Sequence, residues 1–139
     1  MEIALTDPSS GRYPVKWTNL IWYLGIFIHH TFDWSHHITI MANRARSTTR
    51  ALNLLGNSVQ GLDFANWCHL FHALILPILT YGLPLYTNNP CIKGLIKTLQ
   101  VAQNEIVRKM SSTFKTSPII PLHDLISIPP LHLTIRKLS

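Results

Sequence analysis

The stretch WYLGIFI, residues 22–28, is followed directly by HHTFDWSHHITIMANRARSTTRALNLLG, residues 29–56. Aromatic and β-branched residues dominate the region 17–28, which predicts a β-strand with Gly25 at a bulge or a close backbone approach. An isolated strand leaves its backbone groups without partners, and the chain contains few other segments of this composition. The strand therefore needs pairing partners that this sequence does not obviously provide.

A long helix is predicted to follow, with Asp33 or Ser35 as its N-cap and with its end near Leu55. At about 100° per residue, small and apolar side chains share one face of this helix, which we expect to be buried. That face consists of Ile38, Ala42, Ala45, Thr49 and Leu52. Arg46 and Arg50 lie beside it one turn apart, where like charges repel unless an anion lies between them. Phosphate is one candidate for that anion, and two solvated arginines are the alternative.

Two more helices are predicted further along the chain. The second runs from Phe64 to about Leu79, with a kink or an end at Pro77, and its apolar faces indicate the buried centre of the helical part. Its predicted core residues are Trp67, Leu70, Phe71, Leu74, Ile75 and Ile78. The third runs from near Pro90 to about Phe114. Its predicted inner face consists of Ile92, Ile96, Leu99, Gln103, Ile106 and Met110.

The opposite face of the third helix carries a stripe of basic and amide side chains. Its members are Lys93, Lys97, Gln100, Asn104 and Arg108. Such a stripe can follow a nucleic acid backbone by ion pairing and hydrogen bonding. An ordinary solvated helix face has the same spacing, so spacing alone leaves both interpretations open.

Both ends of the chain are predicted to be less regular. Residues 1–16 are polar and contain Pro8, Gly11 and Pro14, which predicts a loop or an irregular segment. The last piece, PPLHLTIRKLS (129–139), is typical of a helix start but extends for barely two turns. We therefore expect a helical domain, residues 33–139, that is truncated at its C-terminus.

The composition fits one domain with a substantial core, because 47% of the 139 residues are hydrophobic. Lys and Arg number 12 against 6 Asp and Glu, a formal charge of +6, which favours polyanionic partners or serves solubility alone. Two cysteines and no recognisable leader predict an intracellular location, nuclear or cytoplasmic, without secretion. The apolar run 70–86 is interrupted by His72, Pro77 and Pro84, so we expect a core helix and no membrane contact.

Catalytic and metal-binding patterns are weak in this sequence. The six carboxylates are scattered singly, without the Asp pair that would hold magnesium for phosphoryl transfer. Cys68 and His72 are spaced for a nucleophile and its base, but their apolar helix favours a small core residue at Cys68. The eight histidines show no finger-like spacing. We therefore predict no catalytic residue, no bound metal and no cofactor in this chain.

A family resemblance links these segments. The ordered set WYLGIFI, DWSHHITIMANRARSTTRALNLLG, LFHALILPILTYGLPLY, GLIKTLQVAQNEIVRKMSSTFKTSP and IPPLHLTIRKLS covers almost the whole chain from Lys16 onward. It resembles the end of the palm and the thumb in reverse transcriptases of non-LTR (LINE-like) retrotransposons of the fungal type. This resemblance implies a short strand or hairpin over residues 17–32, followed by a mainly helical, thumb-like bundle of three or more helices.

The resemblance also implies functional roles. Tyr23, Leu24 and Gly25 match the primer grip, which positions the primer end. The helices carrying Arg46, Arg50 and the stripe from Lys93 to Arg108 correspond to the thumb, which holds the template-primer duplex through its phosphates. The partners of the orphan strand would then lie in palm sequence preceding Met1.

The chain departs from the family pattern in ways that matter for activity. The fingers and most of the palm are missing, including the aspartates that bind two magnesium ions, so this fragment is expected to have no polymerase activity alone. His29 stands where the family usually has an acidic residue. The alternative to a polymerase fragment is a stand-alone basic helical module that binds RNA, DNA or another protein.

Overall fold

The computed structural model describes residues 3–7, 11–15, 17–56, 63–86 and 92–138, in which two β-hairpins precede a set of helices. The first hairpin pairs strands β1 (Ile3–Asp7) and β2 (Gly11–Val15). The second pairs β3 (Leu20–Tyr23) and β4 (Ile26–His29). Each hairpin is a separate two-stranded antiparallel sheet. The mainly helical fold with a hairpin on its N-terminal side is confirmed.

The predicted loop over residues 1–16 is wrong where β1 and β2 form. Their antiparallel register runs from Ile3 opposite Val15 to Asp7 opposite Gly11. Pro14 is tolerated because a two-stranded sheet leaves one edge of each strand without a ladder partner. Prolines and glycines in this segment were therefore misleading as evidence against strands.

The strand predicted from composition over residues 17–28 is a hairpin in the structure, because Leu24 and Gly25 form a two-residue turn between β3 and β4. Both residues have positive φ, 49° and 78°, as a type I′ turn requires. Tyr23 pairs with Ile26 directly across the turn. Gly25 is therefore a turn residue rather than a bulge, and β3 and β4 are each other's pairing partners.

The helical part contains α1 (Ser35–Gly56), α2 (Phe64–Leu70), α3 (Leu76–Leu79), α4 (Leu83–Tyr86), α5 (Ile92–Met110), α6 (Ile119–Ile126) and α7 (Leu131–Leu138). At the start of α1, the Asp33 carboxylate accepts hydrogen bonds from the Ser35 backbone N–H at 3.0 Å and its hydroxyl at 2.7 Å. All five residues of the predicted inner face of α1 are buried. The 3.6-residue period therefore identified this face correctly.

A π-helical turn, Phe71–Ile75, joins α2 to α3. Pro77 follows it, and its ring would crowd the carbonyl four residues earlier, at position 73, which lies inside that turn. The wider π-helical turn relieves this crowding. The predicted distortion at Pro77 is thus confirmed, although the helix continues to Leu79.

The core lies where α1 packs against α5 and α3, and where α6 and α7 pack against α5. On α5 the predicted inner face is correct from Leu99 to Met110, while Ile92 and Ile96 are half-buried. The α2–α3 segment is less buried than predicted, since Leu74 is 42% exposed. Part of the surface of this segment is therefore not covered by the other described elements.

Candidate nucleic-acid interface

The β3–β4 hairpin is anchored to the helices through Tyr81 and His37. The Tyr81 hydroxyl donates a hydrogen bond to the Leu24 carbonyl at 2.7 Å. The Phe27 backbone N–H donates to Nδ1 of His37 at 3.5 Å, and Nε2 of His37 lies 3.3 Å from the Tyr81 carbonyl. Because a carbonyl only accepts, Nε2 carries the proton, and the neutral imidazole links the strand, α1 and the segment after α3.

Two glycines make this anchoring possible. A Cβ on Gly25 would lie 3.1 Å from the Tyr81 hydroxyl oxygen, and a Cβ on Gly82 would lie 3.2 Å from Nε2 of His37. Both glycines also have positive φ, 78° and 74°. The close approach predicted at Gly25 is therefore present, and the group that approaches is the side chain of Tyr81.

The anchored turn leaves the predicted primer-grip residues accessible. Tyr23 is 62% exposed and Leu24 is 72% exposed at the tip of the hairpin. A cavity of about 270 Å³ lies beside the tip. Its lining consists of Gly25, Met41, Arg44, Pro77, Ile78 and Tyr81. The hairpin thus presents an aromatic and an apolar side chain next to a cavity whose lining includes the arginine Arg44.

Sequence reasoning did not identify Arg44. The sequence signal existed, since His37, Met41 and Arg44 follow at four and three residues and share a helix face. The more apolar face, which begins at Ile38, gave the stronger pattern and hid the face directed at the hairpin. Arg44 is exposed and lines the same cavity as Gly25 of the predicted primer grip.

The two arginines predicted on the flank of α1 differ in their surroundings. Arg46 forms a two-pronged ion pair with Glu105, with Nε to Oε2 at 2.8 Å and Nη2 to Oε1 at 3.3 Å. It also donates to Asn43 Oδ1 at 3.1 Å. The anion beside Arg46 is therefore a carboxylate of α5. Arg50 is exposed, and its side chain makes no hydrogen bond or ion pair with any other described residue.

The members of the basic and amide stripe on α5 differ in their exposure to solvent. Lys93 and Lys97 are exposed. Gln100, Asn104 and Arg108 are half-buried, which is less exposed than either interpretation of the stripe implies. The cause is that α6 and α7 pack across this end of α5.

Internal hydrogen bonds occupy the three half-buried members of the stripe. The Gln100 side-chain amide donates to Asn104 Oδ1 at 2.9 Å and to Gln103 Oε1 at 3.0 Å. Arg108 donates to the Ser117 carbonyl through Nε at 3.4 Å and Nη2 at 3.3 Å. Contacts of these side chains with phosphate stay a prediction, and such contacts would compete with the bonds described.

The described residues contain no group of three or more His, Cys, Asp or Glu side chains placed to hold a metal ion. The Cys68 thiol lies 3.7 Å from the Ile126 carbonyl, to which it can donate. Burial raises the pKa of Cys68, which disfavours the thiolate that a nucleophile requires. These contacts favour a packing role for Cys68, while Cys91 lies outside the described residues.

The anchoring histidine predicts a pH-dependent stability. Burial is the largest cause that lowers the pKa of His37 from 6.5; the hydrogen bond to Tyr81 opposes it, and the charges of Arg44 and His36 add to it. At pH values between the lowered pKa of His37 in the folded chain and its ordinary pKa in the unfolded chain, the unfolded chain binds more protons than the folded chain does. The contribution of His37 to the free energy of unfolding is therefore fully present above about pH 6.5. It is lost as the pH decreases below that value, towards the lowered pKa. Urea unfolding followed at several pH values measures this loss.

A matched pair of variants isolates the contribution of His37. The variant His37→Gln keeps a donor near the Tyr81 carbonyl but cannot be protonated, so we expect its stability to decline less on acidification than that of the wild type. The exposed His132 serves as control, and His132→Gln is expected to retain the wild-type pH dependence. An unchanged pH dependence in His37→Gln would contradict the assignment.

No family model matches the chain, and neither a curated protein nor a solved structure matches it. The resemblance to non-LTR reverse transcriptases therefore rests on the sequence motifs alone.

Proposed function

We propose that this chain binds a template-primer duplex, as the primer-grip and thumb region of a retrotransposon reverse transcriptase, without polymerase activity of its own. The observation that carries this proposal is the anchored hairpin, which presents Tyr23 and Leu24 to solvent and whose Gly25 lines a cavity together with Arg44. A rigid tip can position the end of a strand, because its backbone is held by Tyr81 and His37. The exposed aromatic side chain of Tyr23 and the cation Arg44 at the adjoining cavity together suit a nucleotide, which combines a base with a phosphate.

Electrostatics supports the same partner. The formal charge of the chain is +6, and Arg44, Arg50, Lys93 and Lys97 are all exposed. Such cations attract phosphates and release counterions when they bind, which gives affinity without sequence selectivity. We assign the duplex backbone to these exposed cations. Arg46, Gln100, Asn104 and Arg108 then have the supporting role of holding α5 to its neighbours.

Binding of a fluorescent primer-template duplex, measured by anisotropy across a series of salt concentrations, tests the proposal. We expect affinity to fall with rising salt, and the logarithmic slope to decrease by about 0.9 for each phosphate ion pair that a variant removes. The variants Arg44→Ala and Lys93→Ala/Lys97→Ala should weaken binding for duplexes of unrelated sequence. The neighbouring Thr98→Ala removes no charge and serves as control. Affinity that is insensitive to salt, or wild-type binding by the charge variants, would refute the proposal.

A second candidate is an interaction module that uses an apolar face of the segment Phe64–Tyr86. Phe64, Leu74, Tyr81 and Leu85 are each between 40% and 55% exposed. Over the described residues, this segment is long and apolar enough to cross a membrane by length and composition, with 22% of its most apolar stretch buried. The run predicted from sequence started at Leu70, which made it too short for a span. The core helices of soluble proteins pass the same test, so flotation of the chain with liposomes is the discriminating experiment.

A further inference from the structure

A second cavity, of about 570 Å³, lies at the C-terminal end of α5. Its lining consists of Glu105, Arg108, Lys109, Thr113 and Lys115. The volume falls within the range of small-molecule sites, about 300–1,000 Å³. Three of the five lining side chains are cationic and one is a hydroxyl. The cavity therefore has the donors that an anionic group requires.

The single acidic residue of the lining does not cancel this positive charge. Glu105 is held by the two-pronged ion pair with Arg46, which comes from α1. Arg108 donates to the neutral Ser117 carbonyl, so its charge has no anionic partner among the described residues. Hydrogen bonding to Arg46 is the first cause of the lowered pKa of Glu105, and the charges of Lys109 and Lys115 lower it further. The two ammonium groups thus contribute to a positive field at the cavity.

The helix end at this cavity would normally repel an anion, since the last carbonyls of a helix carry partial negative charge. Here two of those carbonyls have donors. The Ser111 N–H bonds to the Val107 carbonyl at 3.0 Å, and the Thr113 N–H bonds to the Arg108 carbonyl at 3.1 Å. The Ser111 hydroxyl also donates to the Val107 carbonyl, at 2.9 Å. These bonds reduce the unfavourable contribution of the helix end.

One residue between two members of the cationic lining in sequence carries an exposed aromatic ring. Phe114 is 83% exposed and lies in sequence between Thr113 and Lys115, both of which line the cavity. At this exposure the ring makes little packing contact within the chain. A ligand that covers the ring therefore gains the free energy of burying its apolar surface. A nucleobase stacks on such a ring regardless of its identity, and the adjoining phosphates pair with cations.

We propose that this cavity binds the phosphate backbone of a single-stranded nucleic acid, with Phe114 stacking on one of its bases. This inference rests on the proposed function in that both assign a nucleic acid as partner. It adds a site for an unpaired strand, whereas the proposed function concerns the duplex held by the hairpin tip and the exposed cations of α1 and α5. The chain would then hold the junction between a duplex and its unpaired extension.

The test measures binding of the full chain to a labelled oligothymidylate and to a blunt duplex, in parallel. Lys109→Ala/Lys115→Ala is expected to weaken oligothymidylate binding about tenfold or more, with a salt slope smaller by about 0.7 for each phosphate ion pair removed. Phe114→Ala should weaken it by a similar factor, while Phe114→Trp retains it. Ile120→Ala, at a residue 75% exposed, is the control for loss of an exposed apolar side chain.

The two ligands separate this inference from the proposed function. The proposed function and this inference are both supported if Lys93→Ala/Lys97→Ala weakens only duplex binding and Lys109→Ala/Lys115→Ala weakens mainly oligothymidylate binding. Oligothymidylate binding that depends on Phe114 without duplex binding supports this inference and refutes the proposed function. Wild-type oligothymidylate affinity in the Lys109, Lys115 and Phe114 variants overturns the inference. Binding of anionic lipid vesicles that depends on these three residues, without oligothymidylate binding, also overturns it.

Discussion

Replacing Gln103 with leucine is expected to lower the free energy of unfolding by about 2–3 kcal/mol. The side chain is fully buried, and its Oε1 accepts the Leu131 backbone N–H at 2.7 Å. Its Nε2 donates to the Pro129 carbonyl at 3.0 Å. Leu131 begins α7, where backbone N–H groups have no partner within the helix. Gln103 therefore ties the start of α7 to α5. Leucine fills the space but leaves the buried Pro129 carbonyl without this donor. Gln100 Oε1, 2.8 Å from the Leu131 nitrogen, then remains as the acceptor of the Leu131 N–H.

Urea unfolding at neutral pH measures this loss. Val101→Leu introduces leucine at a position of α5 that is 45% exposed, and it serves as the control for helix propensity. Gln100→Leu is expected to cost less than Gln103→Leu, because Gln100 is half-buried and because Gln103 keeps its bonds to both the Leu131 N–H and the Pro129 carbonyl in that variant. A loss below about 0.5 kcal/mol for Gln103→Leu would contradict the assigned role, since that value is the lower limit for one hydrogen bond.

Helical periodicity was sufficient to identify the buried faces of α1 and α5. It also placed Gln103 correctly on the inner face, although a polar residue is unusual there. Gln100, Asn104 and Arg108 were placed on the face of α5 opposite the buried one. Periodicity distinguishes the faces of a helix, but it does not show how many of them other helices cover. The covering helices, α6 and α7, are eight residues each and follow prolines, so their own signals were weak.

The residues of the predicted primer grip lie together in the structure, and their role in binding stays a prediction. Tyr23, Leu24 and Gly25 were selected together, and they form the exposed tip of a hairpin. The resemblance implied a strand or hairpin here, but the residue pattern alone did not locate the turn, because type I′ turns favour Asn or Gly at their first central position, and Leu24 occupies it. The anchoring through His37 and Tyr81 joins residues 44 positions apart, which no local pattern indicates.

Replacing Gly25 with valine is expected to detach the hairpin tip and to destabilise the chain by about 2–3 kcal/mol. Valine is disfavoured at the φ of 78°, and its Cβ would lie 3.1 Å from the Tyr81 hydroxyl oxygen. Relief of this contact requires Tyr81 to move, which breaks its 2.7 Å hydrogen bond to Leu24. The measurements are urea unfolding and the fluorescence of Trp22, which is 66% exposed on β3.

Two further variants separate strain at the turn from loss of the anchor. Gly94 lies in α5, where a Cβ would meet no heavy atom of the surrounding described residues within 4 Å, so Gly94→Ala is expected to stabilise the chain by about 0.5–1 kcal/mol. Tyr81→Phe removes only the hydrogen bond to Leu24 and should cost about 1 kcal/mol. If the tip positions a primer end, duplex affinity falls in Gly25→Val and Tyr81→Phe but not in Gly94→Ala. Equal duplex affinity in all three would remove the hairpin from the binding surface, because only the first two release its tip.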